Sequence, residues 1–315
     1  MKKGILFNVL IAAAGISSLF PGLSAETQGL QFLSLPVFAA AEGMGGAGSG
    51  LFGNASGLFY NPACLVSRED KRMELSVGYL GWIEGSNKES VVFVTSPKVP
   101  VLRAVSVDYL TISGLNKFDA SGNITGDLGY QDAALGLNAG VKLGGISVGA
   151  NIKYLKEDID TYKGSGYGLD AGILYPLIKE KLVLGAALLN AGTFSLEEED
   201  VILPQTLRVG LGFKLEKISF GMDWEKDDSE ALIHLGSELR FQQKYAVRIG
   251  WQNTGMEDSS AISFGFGLEE SLERAGWKSL AKGAREEGKS FLFNYSYSGA
   301  GDFGSVHRFD VGIRF

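Results

Sequence analysis

Apolar residues alternate one for one with polar or small residues through most of this chain, and that period of two leaves few folds open. Leu207, Val209, Leu211, Phe213 and Leu215 alternate with Arg208, Gly210, Gly212 and Lys214. The pattern recurs in Ile218, Phe220, Met222 and Trp224, in Tyr245, Val247, Ile249 and Trp251, in Ile262, Phe264, Phe266 and Leu268, and in Phe291, Phe293, Tyr295 and Tyr297. Successive side chains of a strand point to opposite faces, so each segment offers one oily face and one polar or crowded face. A water-soluble sandwich buries its oily faces against each other, whereas a transmembrane barrel turns them to lipid.

Three features favour the barrel. Aromatic residues such as Trp224, Trp251, Tyr175 and Tyr297 fall near strand ends on the outward phase, where they suit the headgroup level. The last segment places Phe309, Val311, Ile313 and Phe315 on one face and stops at the aromatic, which resembles the signal that outer-membrane barrels present to their assembly machinery. The connections also sort by parity. Strands are expected near 72–83, 88–96, 101–112, 128–143, 145–158, 166–175, 180–191, 203–215, 216–226, 231–241, 244–253, 260–269, 291–298 and 305–315. Joins after even strands are tight, while those at 113–127, 157–165 and 192–202 are longer, as in a barrel threaded from the periplasm. The expected fold class is therefore all-β, an antiparallel transmembrane β-barrel of about 14 strands, with an N-terminal plug segment inside the lumen.

One join breaks the parity. Residues 269–290 should form a short turn but are mostly charged or small, and Ser271 as N-cap, early Glu269, Glu270 and Glu273, and later Lys278, Lys282 and Arg285 suit a helix. Trp277 and Leu280 are its candidate docking contacts.

Lys2 and Lys3, an apolar run from Gly4 to Phe20 and the small-residue end Leu23-Ser24-Ala25 read as a secretory signal peptide over 1–25. The plug then covers 26–70 and the barrel 71–315. With 1 Cys the chain forms no internal disulfide, and Cys64 reads as a small buried hydrophobe. The formal charge of −7, or −9 once Lys2 and Lys3 are removed, argues against nucleic acid as a partner. The 2 His and 1 Cys give no metal spacing, so no cofactor or metal is expected, and a Ser–His hydrolase has only weak support. The acidic run Glu197-Glu198-Glu199-Asp200 reads as a solvated loop that could bind a divalent cation.

Before the first strand the alternation is absent. Gly43-Met44-Gly45-Gly46-Ala47-Gly48 and the run from Gly53 to Tyr60-Asn61-Pro62-Ala63 permit close backbone packing, and no strand–helix unit accompanies them to make a phosphate loop. The stretch from Ala41 to Ala63 resembles the N-terminal signature of the PorV/PorQ proteins, also catalogued as an uncharacterised spirochaetal family, which are similar to the FadL-type fatty-acid channels. Tyr167-Gly168-Leu169-Asp170-Ala171-Gly172, Asn190-Ala191-Gly192, Leu203-Pro204 and His307-Arg308-Phe309 extend the resemblance. It implies a barrel whose N-terminal hatch carries Gly43, Gly45, Gly46, Asn61, Pro62 and Ala63 within the lumen. Cys64, where the family usually has Gly, and the long 269–290 join depart from it.

The inward phase of the strands holds charges of both signs, among them Glu74, Asp108, Lys153, Asp170, Arg208, Asp223, Glu238, Arg240, Arg248, Asp310 and Arg314. Such a mixture suits a lumen filled by a plug and crossed by ion pairs better than an open pore. The expected localisation is the outer membrane, with lipid and the barrel-assembly machinery as partners. FadL similarity implies passage or binding of small hydrophobic molecules, with Leu58, Phe59 and Leu65 as candidate pocket lining. PorV similarity instead implies a type IX secretion component that binds exported proteins.

Overall fold

The computed structural model describes residues 29–315 except 69, 71, 83–84, 97–100, 180, 198, 228–230, 254–259, 273–287 and 300–303. The strands in chain order are β1 (Glu74–Gly81), β2 (Ser86–Val94), β3 (Leu102–Ile112), β4 (Asn116–Phe118), β5 (Ile124–Asp127), β6 (Tyr130–Leu143), β7 (Ile146–Ile159), β8 (Tyr162–Ile178) and β9 (Leu182–Leu196). They continue with β10 (Glu199–Val201), β11 (Thr206–Lys214), β12 (Ile218–Lys226), β13 (Ala231–Phe241), β14 (Tyr245–Asn253), β15 (Ser260–Ser271), β16 (Ser290–Gly299) and β17 (Ser305–Arg314). All but β4, β5 and β10 join one closed antiparallel ring of 14 strands. The ring shuts where β17 pairs with β1, Tyr79 facing Phe309, and Met73 and Phe315 exchange backbone hydrogen bonds of 2.9 and 3.0 Å. Closure satisfies both edges of the sheet, which a strand-built membrane span requires.

The outward phase is apolar on every side. Val77, Val107, Leu137, Ile152, Met222 and Ile249 all stand exposed on it. Exposed Tyr109, Tyr154, Tyr167, Trp224 and Tyr297 ring the belt toward the loop end, and Phe241 and Phe315 toward the turn end. Phe309, Val311, Ile313 and Phe315 all face outward from β17. Among the described residues no helix is long and apolar enough to cross a membrane.

The ring is uneven in height. β6 to β9 run 14, 14, 17 and 15 residues, against 8 and 9 for β1 and β2. Two expected loops are therefore strand. Over 157–165 the pairing of β7 with β8 continues to Ile159 and Tyr162, and over 192–202 β9 continues to Leu196 and folds back onto β10. Pairing does not stop at the membrane surface when both strands have partners left, and alternation weakens there because both faces meet water. Glu197, Glu199 and Asp200 of the acidic run lie at this fold-back, where the Glu197 carboxylate accepts from Lys163 N at 3.0 Å. The 269–290 join is also corrected at its start. Glu269, Glu270 and Ser271 are strand, paired with Leu292, Phe291 and Ser290, and the helix expected beyond Ser271 falls on 273–287, outside the described residues. Trp277 and Leu280, like the signal segment 1–25, lie outside the described residues.

The N-terminal segment lies inside the ring. Its backbone N–H groups at Ala39, Gly45, Gly48 and Ala55 donate to Asp310, Ser263, Asp223 and Glu74, on β17, β15, β12 and β1, and Asn138 of β6 donates to Pro62 O. Its described residues contain one helical turn, Ala39–Glu42, and three tighter turns, Gln31–Ser34, Ala55–Phe59 and Pro62–Leu65. Gly45 and Gly46 follow the helical turn with φ of 67° and 80°, a left-handed bend that side chains disfavour.

Candidate functional site

The interior holds three levels, each set by what the inward phase of the strands carries there. At the middle level the inward residues are small, and the segment rests on the wall backbone to backbone. A Cβ on Gly250 would stand 2.0 Å from Gly45 N, and one on Gly149 would stand 2.4 Å from Pro62 O. Asp223 closes this level: its Oδ2 accepts from Gly48 N at 3.1 Å, Ser49 N at 2.9 Å and Ser49 Oγ at 2.6 Å. Arg208 donates to Gly46 O at 2.8 Å, pairs with Glu225 at 2.8 Å and lies over the Tyr60 ring. The Tyr60 hydroxyl donates to Glu42, which pairs with Arg308 at 3.1 Å.

The Asn-Pro-Ala motif acts as a clip at the same level. Asn61 is wholly buried; its Oδ1 accepts from Ala63 N at 3.0 Å, capping the Pro62–Leu65 turn. Its Nδ2 reaches Ser49 O at 3.1 Å and Ile173 O on β8 at 3.0 Å. One side chain thus fastens two stretches of the segment and the wall, which explains why a short amide that both donates and accepts stands here. Pro62 and Ala63 lie against the backbone at Gly149, and Gly43 lies against Gly265. Cys64 is buried with its thiol 3.7 Å from Ser49 O, and burial pushes its pKa up to about 12, so it stays protonated and inert.

The turn-end level is ionic. Glu74 pairs with Arg314 at 2.9 Å and Arg68 at 3.4 Å, and Glu269 receives Arg314 at 3.1 Å and Arg72 at 3.3 Å. Glu238 holds Arg248 at 2.7 Å and Arg240 at 3.3 Å. Asn294 bridges Arg248 at 3.0 Å to Asp310 at 2.8 Å. A cavity of about 70 Å³ sits among Phe38, Asn54, Glu74, Arg248, Asp310 and Arg314, room for little more than water.

The loop-end level is apolar at its centre. Leu110, Ala134, Leu155, Phe194 and Leu203 form a buried cluster, and the chain's own Leu30 and Phe32 fill it. Polar groups surround that cluster without entering it. Lys88, 2% exposed, donates through Nζ to Phe32 O and Leu35 O at 2.7 Å each and so fixes the Gln31–Ser34 turn. Asp108 accepts from Ser90 at 2.7 Å, and Asp170 takes Lys153 at 2.7 Å and Asn151 at 3.0 Å.

Each lumen charge expected from the sequence points inward, and all serve ion pairs or hydrogen bonds. The expected pocket lining is different. Leu58 and Leu65 pack with Phe38, Val92, Val94 and Ala104, with Phe59 against them, and the cavities described here are lined by other residues. His234 faces inward beside Glu225, 3.0 Å away, while cross-strand register sets Glu238 opposite Arg248. Its Nδ1 lies 2.7 Å from Gly45 O, a structural contact. His307 is on the outer face with Tyr295, far from any catalytic partner of His234. Among the described residues no group of three His, Cys, Asp or Glu is placed to hold a metal ion. Sequence reading missed Lys88, Glu42 and Ser49; the phase of Ser86, Lys88 and Ser90 was the available signal for the first.

No protein-family model and no curated protein sequence matches the chain. Solved structures do. The CymD monoaromatic hydrocarbon channel superposes with a TM-score of 0.57 at 13% identity, covering 89% of this chain and 97% of that one. The Ralstonia pickettii toluene transporter TbuX gives 0.56 at 13%, covering 89% and 98%, and a Pseudomonas aeruginosa FadL homologue gives 0.56 at 11%, covering 92% and 99%. The chain shares the barrel fold of these three structures. At such identities the likeness is one of fold rather than of shared side chains.

Proposed function

We propose that this barrel binds small hydrophobic molecules at its loop end and passes them across the outer membrane. The observation that carries this reading is the loop-end cluster: Leu110, Ala134, Leu155, Phe194 and Leu203 gather at the loop end of the lumen, apart from the apolar contacts of Leu58 and Leu65 with Val92, Val94 and Ala104 nearer the turn end. A plug needs only to fill space, and charges, glycines and the Leu58 and Leu65 contacts do so elsewhere in this ring. An apolar chamber edged by polar groups is what a hydrophobic ligand requires. Leu30 and Phe32 hold the chamber in the state described, so a ligand enters by displacing them, and the Lys88 contacts to Phe32 O and Leu35 O oppose that step. Aromatic hydrocarbons, named in the descriptions of CymD and TbuX, are the first ligands to try.

The test is equilibrium dialysis of labelled toluene, with oleate as a second probe, against the detergent-solubilised barrel and empty micelles. Saturable uptake lost in Leu155→Asp and Phe194→Asp is the expected result; equal uptake by all three proteins contradicts the proposal.

A second reading, binding of exported proteins in the PorV manner, is favoured by one surface feature. The β4–β5 hairpin stands at the loop end with Phe118 and Ile124 paired at its tip, 62% and 63% exposed. Lys117 ties it to Asp160 at the β7–β8 turn. A secreted protein that co-purifies in stoichiometric amount with this chain, and is lost in Phe118→Ser, would establish that reading in place of the first.

A further inference from the structure

Gly212, Gly221, Gly236 and Gly250 are successive cross-strand partners, so they form one row across β11, β12, β13 and β14. Behind the row the backbone of the inner segment stands close, with the Leu51 side chain beside it: a Cβ on Gly212 would meet Gly50 O at 2.3 Å, on Gly221 Ala47 O at 2.7 Å, and on Gly236 Met44 O at 2.3 Å. The row presents no side chain on either face, so the sheet here is as thin as a sheet can be.

On the outer face of the same strands a groove of about 620 Å³ opens, lined by Leu211, Phe220, Met222, Leu235, Ile249 and Trp251 among others. Gly221, Gly236 and Gly250 line it too, and Ser237 contributes a single hydroxyl. The volume falls in the range of about 300–1,000 Å³ that small-molecule sites occupy. Its walls continue the exposed apolar belt, with Leu211 and Leu235 each 40% exposed and Ile249 52%. At that depth in a bilayer the surrounding medium is acyl chains rather than water. A hollow in the wall is then either filled by one of those chains or forfeits dispersion contacts on every side.

We propose that this groove binds one acyl chain of a membrane phospholipid, holding it against the rigid glycine row while the rest of the lipid annulus exchanges. The occupant is a lipid because the groove is continuous with the lipid-facing belt and contains no charge to select anything else. Rigidity of the row matters, since an immobile wall saves the ordering cost that a mobile one would add to binding. The proposal needs the barrel to sit in a bilayer; it does not depend on cargo crossing the lumen.

Trp251 at the groove and Trp224 at the loop-end rim of the belt provide paired reporters. Two full-chain variants keep one each: Trp82→Phe, Trp224→Phe, Trp277→Phe for the first, and Trp82→Phe, Trp251→Phe, Trp277→Phe for the second. Both are reconstituted in vesicles of dibrominated dioleoylphosphatidylcholine, which quenches by contact, then mixed with excess unbrominated dioleoylphosphatidylcholine vesicles in detergent. Trp251 fluorescence should recover about tenfold more slowly than that of Trp224, because affinity differences reside mainly in dissociation. Filling the groove with Ile249→Phe, or with Leu235→Phe should the first fold poorly, should abolish the lag. Equal recovery of the two reporters overturns the proposal. So does a Trp251 that brominated lipid never quenches while cross-linking joins two chains through this face, and so does displacement of the lag by toluene, which would make the groove a cargo site.

Discussion

Around Gly250 and Gly149 the inner segment touches the barrel backbone to backbone, whereas around Leu155 and Phe194, closer to the loops, it touches side chain to side chain. The first contact has no rotamers to adjust. Hydrogen bonds from Asn61 and to Asp223 then fix the segment's position along the wall. The second contact is between Leu and Phe side chains, which can repack around a changed volume. The middle of the lumen is thus a fixed seat and the loop end an adaptable one, so any opening should begin at the loop end.

The sharpest way to break this comparison is to add atoms at both places. Gly250→Val puts two methyl groups where 2.0 Å separates a Cβ from Gly45 N, and should cost more than about 3 kcal/mol or prevent folding. Normal migration of the folded band on an unheated gel, with an unchanged urea midpoint, would refute backbone contact there. Gly129, with nothing within 4 Å of its Cβ, is the control, and Gly129→Ala should be silent. At the loop end, Leu155→Ala should cost about 2–5 kcal/mol in urea unfolding yet leave a folded barrel. The dry cavity it leaves should bind benzene, as engineered apolar cavities do; a barrel that fails to fold would show the chamber to be as rigid as the seat.

Removing the clip tests the seat without adding bulk. Asn61→Ala should lower stability by about 1–3 kcal/mol, since Ala63 N and the carbonyls of Ser49 and Ile173 lose their partner. Hydrogen exchange should rise at Ser49 more than at Phe32; the reverse order would sink the assignment of the fixed end.

The link between segment and barrel responds to acid. Burial resists ionisation of Asp70, but hydrogen bonds from Arg72 and the charge of Arg314 outweigh it and bring the carboxyl from 3.8 to about 2. A folded-state value below the ordinary one stabilises the protein fully above 3.8 and loses that contribution as pH falls through about 2. Acid titration of the melting temperature should show this loss, and Asp70→Asn should not show it. The smallest effect is expected at the hairpin tip, where Phe118→Ser should change stability by no more than about 0.5 kcal/mol. A larger loss in a chemical melt would mean that Phe118 packs against the barrel rather than standing free.

Strand number, closure and facing were legible because a period of two is imposed by backbone geometry over every strand. Arg208, Asp223 and Glu238 could be assigned to the interior from that phase alone. Their partners could not, since Arg208 meets Glu225 and Glu238 meets Arg248 through register that no single strand records. The Glu269 to Ser271 stretch misled for a related reason. Acidic residues followed by basic ones suit a helix dipole, but Glu269 is bound by Arg72 and Arg314, far away in sequence and near in the ring. Glycines foretold close packing without saying against what. The loop-end chamber was missed because its members, Leu30, Leu110, Leu155 and Phe194, come from separate elements, and the local signal, Leu110 in phase with Asp108 and Leu155 in phase with Lys153 and Glu157, does not say that they meet.

The seam between β1 and β17 decides when the interior becomes an interior. Until β17, the last of the ring's strands in chain order, meets β1, the sheet has two raw margins and the segment has an open side. Arg308 of that same strand holds Pro36 O and Asp310 receives Ala39 N. The final seam therefore carries on its inner side the grip on what it encloses, and sealing the wall and capturing the contents are a single event.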